Sequence, residues 1–379
     1  MSFYSVSHAD AGLVSTCLFF AYGVGQFING FFCKKYNLKW VIFTSLMVSG
    51  AVNLAVALTP SFEIVKYLWL INGLSLSVLW PCVIRMLSEC LSKKYMARAT
   101  VVIGTTVAVG TLTIYAASAL FTRLGVFKMA FTTAAAVMPA VAVVWLFAIP
   151  KISARAKALC RDDEEEVSLT PEGKCEVSRG FKQTLYFTIG VLCFCAVATN
   201  LIKDGLTTWI PSILKENYGL DPSFSIILSL ALPLVALFGN FFAVNMHKRV
   251  PNFVIQCGIS FFMAGIITAV VIGGLSLGSV ALTLLGFAMV CFLVSSCNSL
   301  ITSIFPLMMK RRVNSGGMAG LLNGFCYVGS TIASYGLGLV ADNWGWNAVF
   351  WLLFGVCVLV CVVALIYRVI SAKMEKLCE

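Results

Sequence analysis

Residues 251–273 read PNFVIQCGISFFMAGIITAVVIG and contain no charged side chain. A helix rises about 1.5 Å per residue, so this run is long enough to cross the roughly 30 Å of hydrocarbon in a bilayer. The whole chain shares this character, because 60% of its 379 residues are hydrophobic, only 11% are charged, and the mean hydropathy is +0.93. A soluble domain carries roughly 25% charged residues. The sequence therefore predicts an α-helical protein that crosses a membrane several times.

Eleven apolar segments are long enough to cross as helices. They occupy residues 10–32, 39–59, 63–88, 97–121, 126–149, 183–213, 222–246, 251–273, 276–305, 317–340 and 346–369. The polar stretch 151–182 divides the first five from the last six. The predicted organisation is an N-terminal bundle of five helices (1–150), a linker (151–182) and a C-terminal bundle of six helices (183–379).

Lys and Arg residues are distributed unevenly among the loops. Most of the 27 lie in alternate loops and in the C-terminal tail, and these loops include 34–39, 93–98, 151–182 and 310–312. Lys and Arg accumulate in cytoplasmic loops because they resist translocation. We therefore predict a protein of the cell (plasma) membrane whose central linker and C-terminus are cytoplasmic. The net charge of +11 arises from these short clusters, so it does not predict a nucleic-acid partner.

Five spans before a cytoplasmic linker place Met1 outside the cell, although residues 1–10 contain no cleavable signal pattern. One additional helix would give two halves of six spans around a cytoplasmic linker, which is the layout of a major facilitator. The predicted fold class is thus an all-α major facilitator fold with eleven transmembrane helices, in which the usual first helix is missing. Truncation, a wrong start codon and a real reduction all remain open as reasons.

Lys203 is the leading candidate for a functional residue, because an ionisable side chain at membrane depth is costly and is usually retained for function. It lies in the apolar stretch 185–214, which is interrupted only by Lys203 and Asp204. If the helix continues to Leu214, the ammonium group lies well inside the membrane and can bind a phosphate or a carboxylate. The alternative is a span that ends near Asn200, with Lys203 reaching the headgroups beside Asp204.

Other polar side chains fall at helical spacings. Tyr22, Gln26 and Asn29 are separated by four and three residues, which places them on one helix face toward a polar interior. Tyr327 is positioned to contribute from a late span. Asn298 is ambiguous, since hydrogen bonding between helices explains a membrane asparagine as well as substrate binding does.

Arg85 is followed four residues later by Glu89, a spacing that permits an ion pair on one helix. Its position near the cytoplasmic end of its span favours gating or packing over substrate contact.

Residues 201–216, LIKDGLTTWIPSILKE, resemble the seventh helix of the organophosphate:phosphate antiporter family of the major facilitator superfamily. In that helix a basic residue precedes a glycine and a Trp-x-Pro, and the basic residue helps to bind the substrate phosphate. The resemblance implies this role for Lys203. Trp80 and Pro81 followed by Arg85 are similar to the fourth-helix signature of the family, whose second proline and glycine are replaced here by Cys82 and Ile84.

The resemblance covers most of the chain from Met1, and it also matches Tyr22 and Tyr327 with the pocket tyrosines of the family. Two departures are evident. The second phosphate-binding basic residue of the family lies in a first helix that this sequence lacks. The second-helix lysine of well-known members is matched here by Gln26.

The predicted function is secondary transport of a small anionic organic solute, an organophosphate exchanged for phosphate, by a monomer in the lipid bilayer. The predicted substrate-binding residues are Lys203, Tyr22, Tyr327, Gln26 and Asn298. The residues predicted for gating or structure are Arg85, Asp204, Trp209 and Pro81.

Two alternatives stay open: a general permease for a sugar, carboxylate or drug, and a non-transporting sensor or inactive remnant. We predict no enzyme, because His8 and His247, which are the two histidines, have no accompanying nucleophile or paired carboxylates. No cofactor or metal is predicted, and the acidic run 162–166 is interpreted as a solvated part of the linker.

Overall fold

The computed structural model describes residues 7–91, 93–167, 179–309 and 314–376, and within these ranges the chain is helical with no β-strand. The helices are α1 His8–Phe32, α2 Leu38–Leu58, α3 Phe62–Leu76, α4 Leu79–Cys90, α5 Lys93–Arg123, α6 Met129–Val167, α7 Arg179–Tyr218, α8 Pro222–Ser229, α9 Ala231–Arg249, α10 Phe253–Ser276, α11 Val280–Ser299, α12 Phe305–Met308, α13 Ser315–Ile332 and α14 Gly338–Lys376. A 3₁₀ turn follows α1 at Cys33–Lys35, and π-helical turns lie at Leu300–Ile304 and Ala333–Leu337.

Polar residues in the short connections set where several helices begin. Ser7, Asn37 and Asn252 each accept a hydrogen bond from a backbone N–H in the first turn of the helix that follows. Asp221 does the same for α8, whose first residue is Pro222. Such caps satisfy N–H groups that have no partner within the helix. Each apolar run is therefore delimited by a local signal.

Ten helical stretches in the described residues are long and apolar enough to cross a membrane. The last of them, Ser315–Ala372, contains two crossings, because Gly345 adopts φ 77° and ψ 171° and interrupts α14. Trp346 contacts Glu216 at one end of α7, whereas Tyr367 contacts Thr188 near the other. The chain thus reverses at Gly345, and the described residues contain eleven segments that are long and apolar enough to cross, which confirms the predicted all-helical membrane fold.

The stretch 151–182 differs from a simple linker. α6 continues without interruption from the fifth crossing to Val167, and α7 begins at Arg179. Good helix formers such as Ala, Arg and Glu in residues 151–167 account for this extension. The remainder of the stretch, residues 168–178, lies outside the described ranges. The division into bundles 1–150 and 183–379 stays a prediction, and the two are called the N-half and the C-half below.

Several helix contacts join the halves: α1 packs along α13, α5 packs on α8 and α9, and α4 packs on α13. Glycines bring α1 and α13 close together. A Cβ at Gly12 would overlap the carbonyl oxygen of Ser334, and a Cβ at Gly320 would lie 2.6 Å from the Cα of Gly30. Small residues permit such backbone contact between membrane helices.

The main hydrophobic core lies in the C-half, where Phe261, Phe305 and Phe350 are fully buried. Large apolar side chains also point outward, and Phe31 and Leu277 are 80% and 78% exposed. A protein in water would rarely display so many, but hydrocarbon solvates them. The outer surface therefore suits a lipid environment.

Candidate functional site

A cavity of about 290 Å³ lies between the halves. The N-half contributes a mostly apolar wall of Phe19, Trp80, Val107 and Thr111. The C-half contributes a polar wall. Its members are Lys203, Asp204, Thr207, Leu232, Pro233, Ala236, Asn240, Cys291, Ser295, Asn298, Ser299, Thr302, Ser303 and Tyr327. The cavity thus has one side for apolar contact and one for hydrogen bonding.

Lys203 reaches this cavity because α7 continues through Pro211 to Tyr218. The alternative span that ends near Asn200 is not the one observed. Lys203 is 27% exposed, and its Nζ lies 3.4 Å from Oδ1 of Asp204. Of the described residues that line the cavity, these two alone carry a charge.

Asp204 is held by a network of uncharged side chains. Its Oδ2 accepts hydrogen bonds from Ser330 Oγ at 2.5 Å and from Asn200 Nδ2 at 3.1 Å. Asn298 donates in turn to Asn200 Oδ1 at 2.7 Å. The network connects α7, α11 and α13, so the position of the carboxylate is fixed by three helices. Such buried networks are rigid when every member is paired.

A row of hydroxyl groups crosses the cavity wall and was not selected from the sequence. Ser295, Ser299, Thr302 and Ser303 follow one another at spacings of four, three and one residue, and all line the cavity. Ser299 also donates to Oδ1 of Asn240 on α9. The π-helical turn Leu300–Ile304 contains the last two hydroxyls of the row, and such turns are frequent at functional sites. The helical spacing of these residues is the signal by which the sequence could have identified the row.

The two predicted tyrosines lie one behind the other. Tyr327 lines the cavity, and the ring of Tyr22 packs against it with centroids 4.3 Å apart. Tyr22 is therefore placed to orient Tyr327. Tyr115 was missed from the sequence, although its hydroxyl donates to the Thr207 carbonyl at 2.8 Å and links α5 to α7 beside the cavity.

Gln26 does not line the cavity, in contrast to the role predicted for it. It is fully buried, and its Nε2 donates to the backbone oxygen of Ser77 at 2.8 Å. Asn29 donates to the Ser77 hydroxyl at the same distance. The shared helix face was recognised correctly, but past Tyr22 this face meets the junction of α3 and α4. The geometry favours a packing role for Gln26.

The remaining predicted residues hold helices together. Trp209 Nε1 donates to the Ala333 oxygen at 3.4 Å, which joins α7 to the second π-helical turn. Pro81 is buried in α4. Arg85 pairs with Glu89 at 2.8 Å, as their spacing predicted, and its Nη1 also donates to the Cys33 oxygen at 2.5 Å. Lys203, Asn298, Tyr327 and Asp204 thus meet at the cavity. Trp209, Pro81 and Arg85 do not line it.

One end of the bundle, here called the His8 end, is closed by charged and polar contacts between the halves. His8 Nε2 lies 2.6 Å from Glu216 Oε1, and its Nδ1 lies 2.7 Å from Asp342 Oδ1. Asp342 also accepts from the Ala9 backbone N–H at 3.0 Å. Glu216 accepts from Trp346 Nε1 at 2.9 Å. A single histidine of α1 therefore bridges α7 and α14.

The opposite end, here called the Ile84 end, is closed by apolar contacts. Ile84 of α4, Leu307 of α12 and Ala319 of α13 form a buried cluster, with Trp80 and Leu87 packed on it. The halves thus meet at both ends of the cavity, through chemically different surfaces.

Replacing His8 with alanine is expected to loosen the His8 end. Contacts of such partly exposed polar groups contribute about 1 kcal/mol or less each, so backbone opening there should become about fivefold more frequent. Hydrogen–deuterium exchange at residues 8–16 and 338–346 measures this directly. His247→Ala, at the other end of the bundle, is the matched control and should leave both segments unchanged. Equal exchange in the two variants would contradict a bridging role.

The fold and the cavity between two halves are those of a membrane transporter. The family model of the Major Facilitator Superfamily matches residues 1–315 and 192–377. The chain belongs to the Major Facilitator Superfamily. Since this is a transporter family, the prediction that the chain is not an enzyme is confirmed.

Three relatives cover most of the chain. Sugar phosphate exchanger 3 of Mus musculus is 23% identical over 96% of this chain and 81% of its own length. Membrane sensor protein UhpC of Escherichia coli (strain K12) is 24% identical over 91% and 80%. A probable hexose phosphate transport protein of Chlamydia muridarum is 21% identical over 90% and 79%. The predicted resemblance to the organophosphate:phosphate antiporters is thereby confirmed.

Proposed function

We propose that this chain carries an organophosphate across the membrane by alternating access and exchanges it for inorganic phosphate. The observation that carries the proposal is the position of Lys203 in the cavity, beside a wall of hydroxyl and amide groups. An ammonium group suits phosphate oxygens, and the polar wall suits a hydroxylated organic group. Two of the relatives are named for sugar phosphate and hexose phosphate, which supports the same solute class.

The roles follow from the positions of the side chains. Lys203 neutralises the phosphate, while Asn298 and Tyr327 donate hydrogen bonds to the solute, and Tyr22 supports Tyr327 from behind. The contacts at the His8 end and at the Ile84 end break alternately, so the cavity opens to one side at a time. A solute shifts the equilibrium between the two conformations only if it binds them with different affinities.

Orientation in the cell membrane follows from the distribution of basic side chains. The Ile84 end carries many of them, and the described members include Lys34, Lys35, Lys39, Arg98, Lys151, Arg155, Lys248, Arg249 and Arg368. The His8 end carries the carboxylates of Glu216 and Asp342. The positive-inside rule places the Ile84 end, the linker and the C-terminus in the cytoplasm. Because one chain forms the whole cavity, we propose that a monomer is the transporting unit.

The test is exchange in proteoliposomes loaded with radiolabelled phosphate. External glucose 6-phosphate is expected to release the label, whereas external glucose is not, since it lacks the anion that Lys203 neutralises. Empty liposomes provide the background. Release by glucose and glucose 6-phosphate alike would favour a general permease instead.

A second candidate function is sensing, which the similarity to the sensor protein UhpC favours. A sensor binds its ligand without moving it. Glucose 6-phosphate would then raise the thermal unfolding temperature of the purified protein through mass action, with no release of phosphate from proteoliposomes. Binding together with release supports transport.

A further inference from the structure

The cavity contains its own counter-ion. Asp204 follows Lys203 directly in α7, and their charged atoms lie 3.4 Å apart. Among the described residues of the lining no other charge is present, so the empty site is neutral as a whole. An anion that binds Lys203 therefore enters beside a carboxylate of the same sign, in a partly desolvated space where like charges repel strongly.

The two oxygens of Asp204 have different partners. Oδ2 accepts from Ser330 and Asn200 and is fixed by them. Oδ1 faces Lys203. When Lys203 turns toward an anion, Oδ1 loses its partner and becomes the free acceptor. The geometry thus provides a defined atom at which a proton can compensate the charge of the incoming anion.

The groups that face Asp204 from the neighbouring helices supply no alternative cation. They are Tyr115 of α5, Cys291 of α11, and Cys326 and Tyr327 of α13. Tyrosine and cysteine side chains do not carry a positive charge. Within the described residues, Lys203 is the one cation that can compensate either Asp204 or an anion.

We propose that Asp204 takes up one proton for each anion that binds Lys203 and releases it with that anion. This inference rests on the proposed function. The loaded site then carries a neutral carboxylic acid and an ammonium–anion pair, while the empty site carries the Lys203–Asp204 pair. Both forms limit the charge exposed at membrane depth. The carrier can therefore convert between its inward-facing and outward-facing conformations in either form. Exchange is one mode of this cycle, and return of the empty carrier adds net uptake driven by a proton gradient.

The decisive variant is Asp204→Asn, which keeps the shape and cannot take up the proton. In proteoliposomes, two assays with radiolabelled glucose 6-phosphate separate the modes: exchange for internal phosphate at equal pH, and accumulation without internal anion when the outside is acidic. The wild type is expected to perform both. The variant should lose accumulation at least tenfold more than it loses exchange, and equal losses in the two assays would overturn the inference. Asp221→Asn, which preserves the cap of α8 outside the cavity, should match the wild type.

The outcomes distinguish this inference from the proposed function. Absence of exchange in the wild type overturns the proposed function and this inference with it. Exchange without acid-driven accumulation in the wild type, or equal accumulation by Asp204→Asn, overturns the inference alone. Titration of the phosphate ester, whose second pKa is about 6, affects all variants equally and cancels in the comparison.

Ser330→Ala gives an independent test if Asp204→Asn does not fold. It removes one hydrogen bond to the ionised carboxylate, so protonation becomes easier. The pH profile of accumulation should then move toward alkaline pH while exchange persists. An unchanged profile would overturn the inference.

Discussion

Lys203→Ala is expected to reduce phosphate-linked exchange about a hundredfold. Hydrogen bonds to a charged group contribute about 1.5–3 kcal/mol each, and alanine removes the one cation among the described residues of the cavity lining. The effect should appear mainly as weaker binding of the anion. Initial rates over a range of glucose 6-phosphate concentrations measure KM and kcat separately.

Two controls accompany this variant. Lys203→Arg keeps the positive charge and should recover part of the activity. Lys215→Ala removes an exposed lysine from the same helix, outside the cavity, and should behave as the wild type. If Lys203→Ala exchanged phosphate at the wild-type rate, Lys203 would have no role in substrate binding. Retained transport of neutral solutes alone would favour the general permease.

Gly329→Ala is expected to have the largest effect on folding. Gly329 is buried in α13, and a Cβ there would overlap the carbonyl oxygen of Val197 on α7. Backbone cannot move aside as a flexible side chain does, so α7 and α13 must separate, at a cost of about 3 kcal/mol. These two helices carry Asp204 and Ser330, so the separation also strains the cavity wall.

Gly190→Ala is the matched control because Gly190 lies exposed on α7 with open space around its Cα. Alanine is favoured over glycine in helices by about 1 kcal/mol, so this variant should be neutral or more stable than the wild type. Thermal unfolding in detergent compares the two. A similar loss of stability in both variants would mean that close packing at Gly329 is not the cause.

The architecture could be predicted from the sequence because the length of an apolar run and the distribution of charges are local properties of the chain. Each crossing is visible as an apolar run with few or no charges, and the final two crossings were separated correctly at the position where Gly345 reverses the chain. Lys203 was found for the same reason, since a charge within such a run is conspicuous.

The partners of most other side chains could not be predicted, because they come from distant parts of the chain. His8 appeared as an isolated histidine, yet its two carboxylate partners lie 208 and 334 positions away. Gln26 shares a helix face with Tyr22, but only packing decides that Ser77 covers it. The hydroxyl row from Ser295 to Ser303 had a detectable spacing, whereas its position opposite Trp80 depends on how the halves meet.

The His8 end and the Ile84 end are closed by contacts of different chemistry, and this difference makes the carrier sensitive to ionic strength. Sodium chloride screens charges over about 10 Å at 0.1 M and about 3 Å at 1 M, so it weakens the contacts of His8 with Glu216 and Asp342. The apolar cluster around Ile84 has no charges to screen. Concentrated salt is therefore expected to shift the population toward carriers that are open at the His8 end. We expect the resting orientation of this protein to depend on the electrolyte that bathes that end.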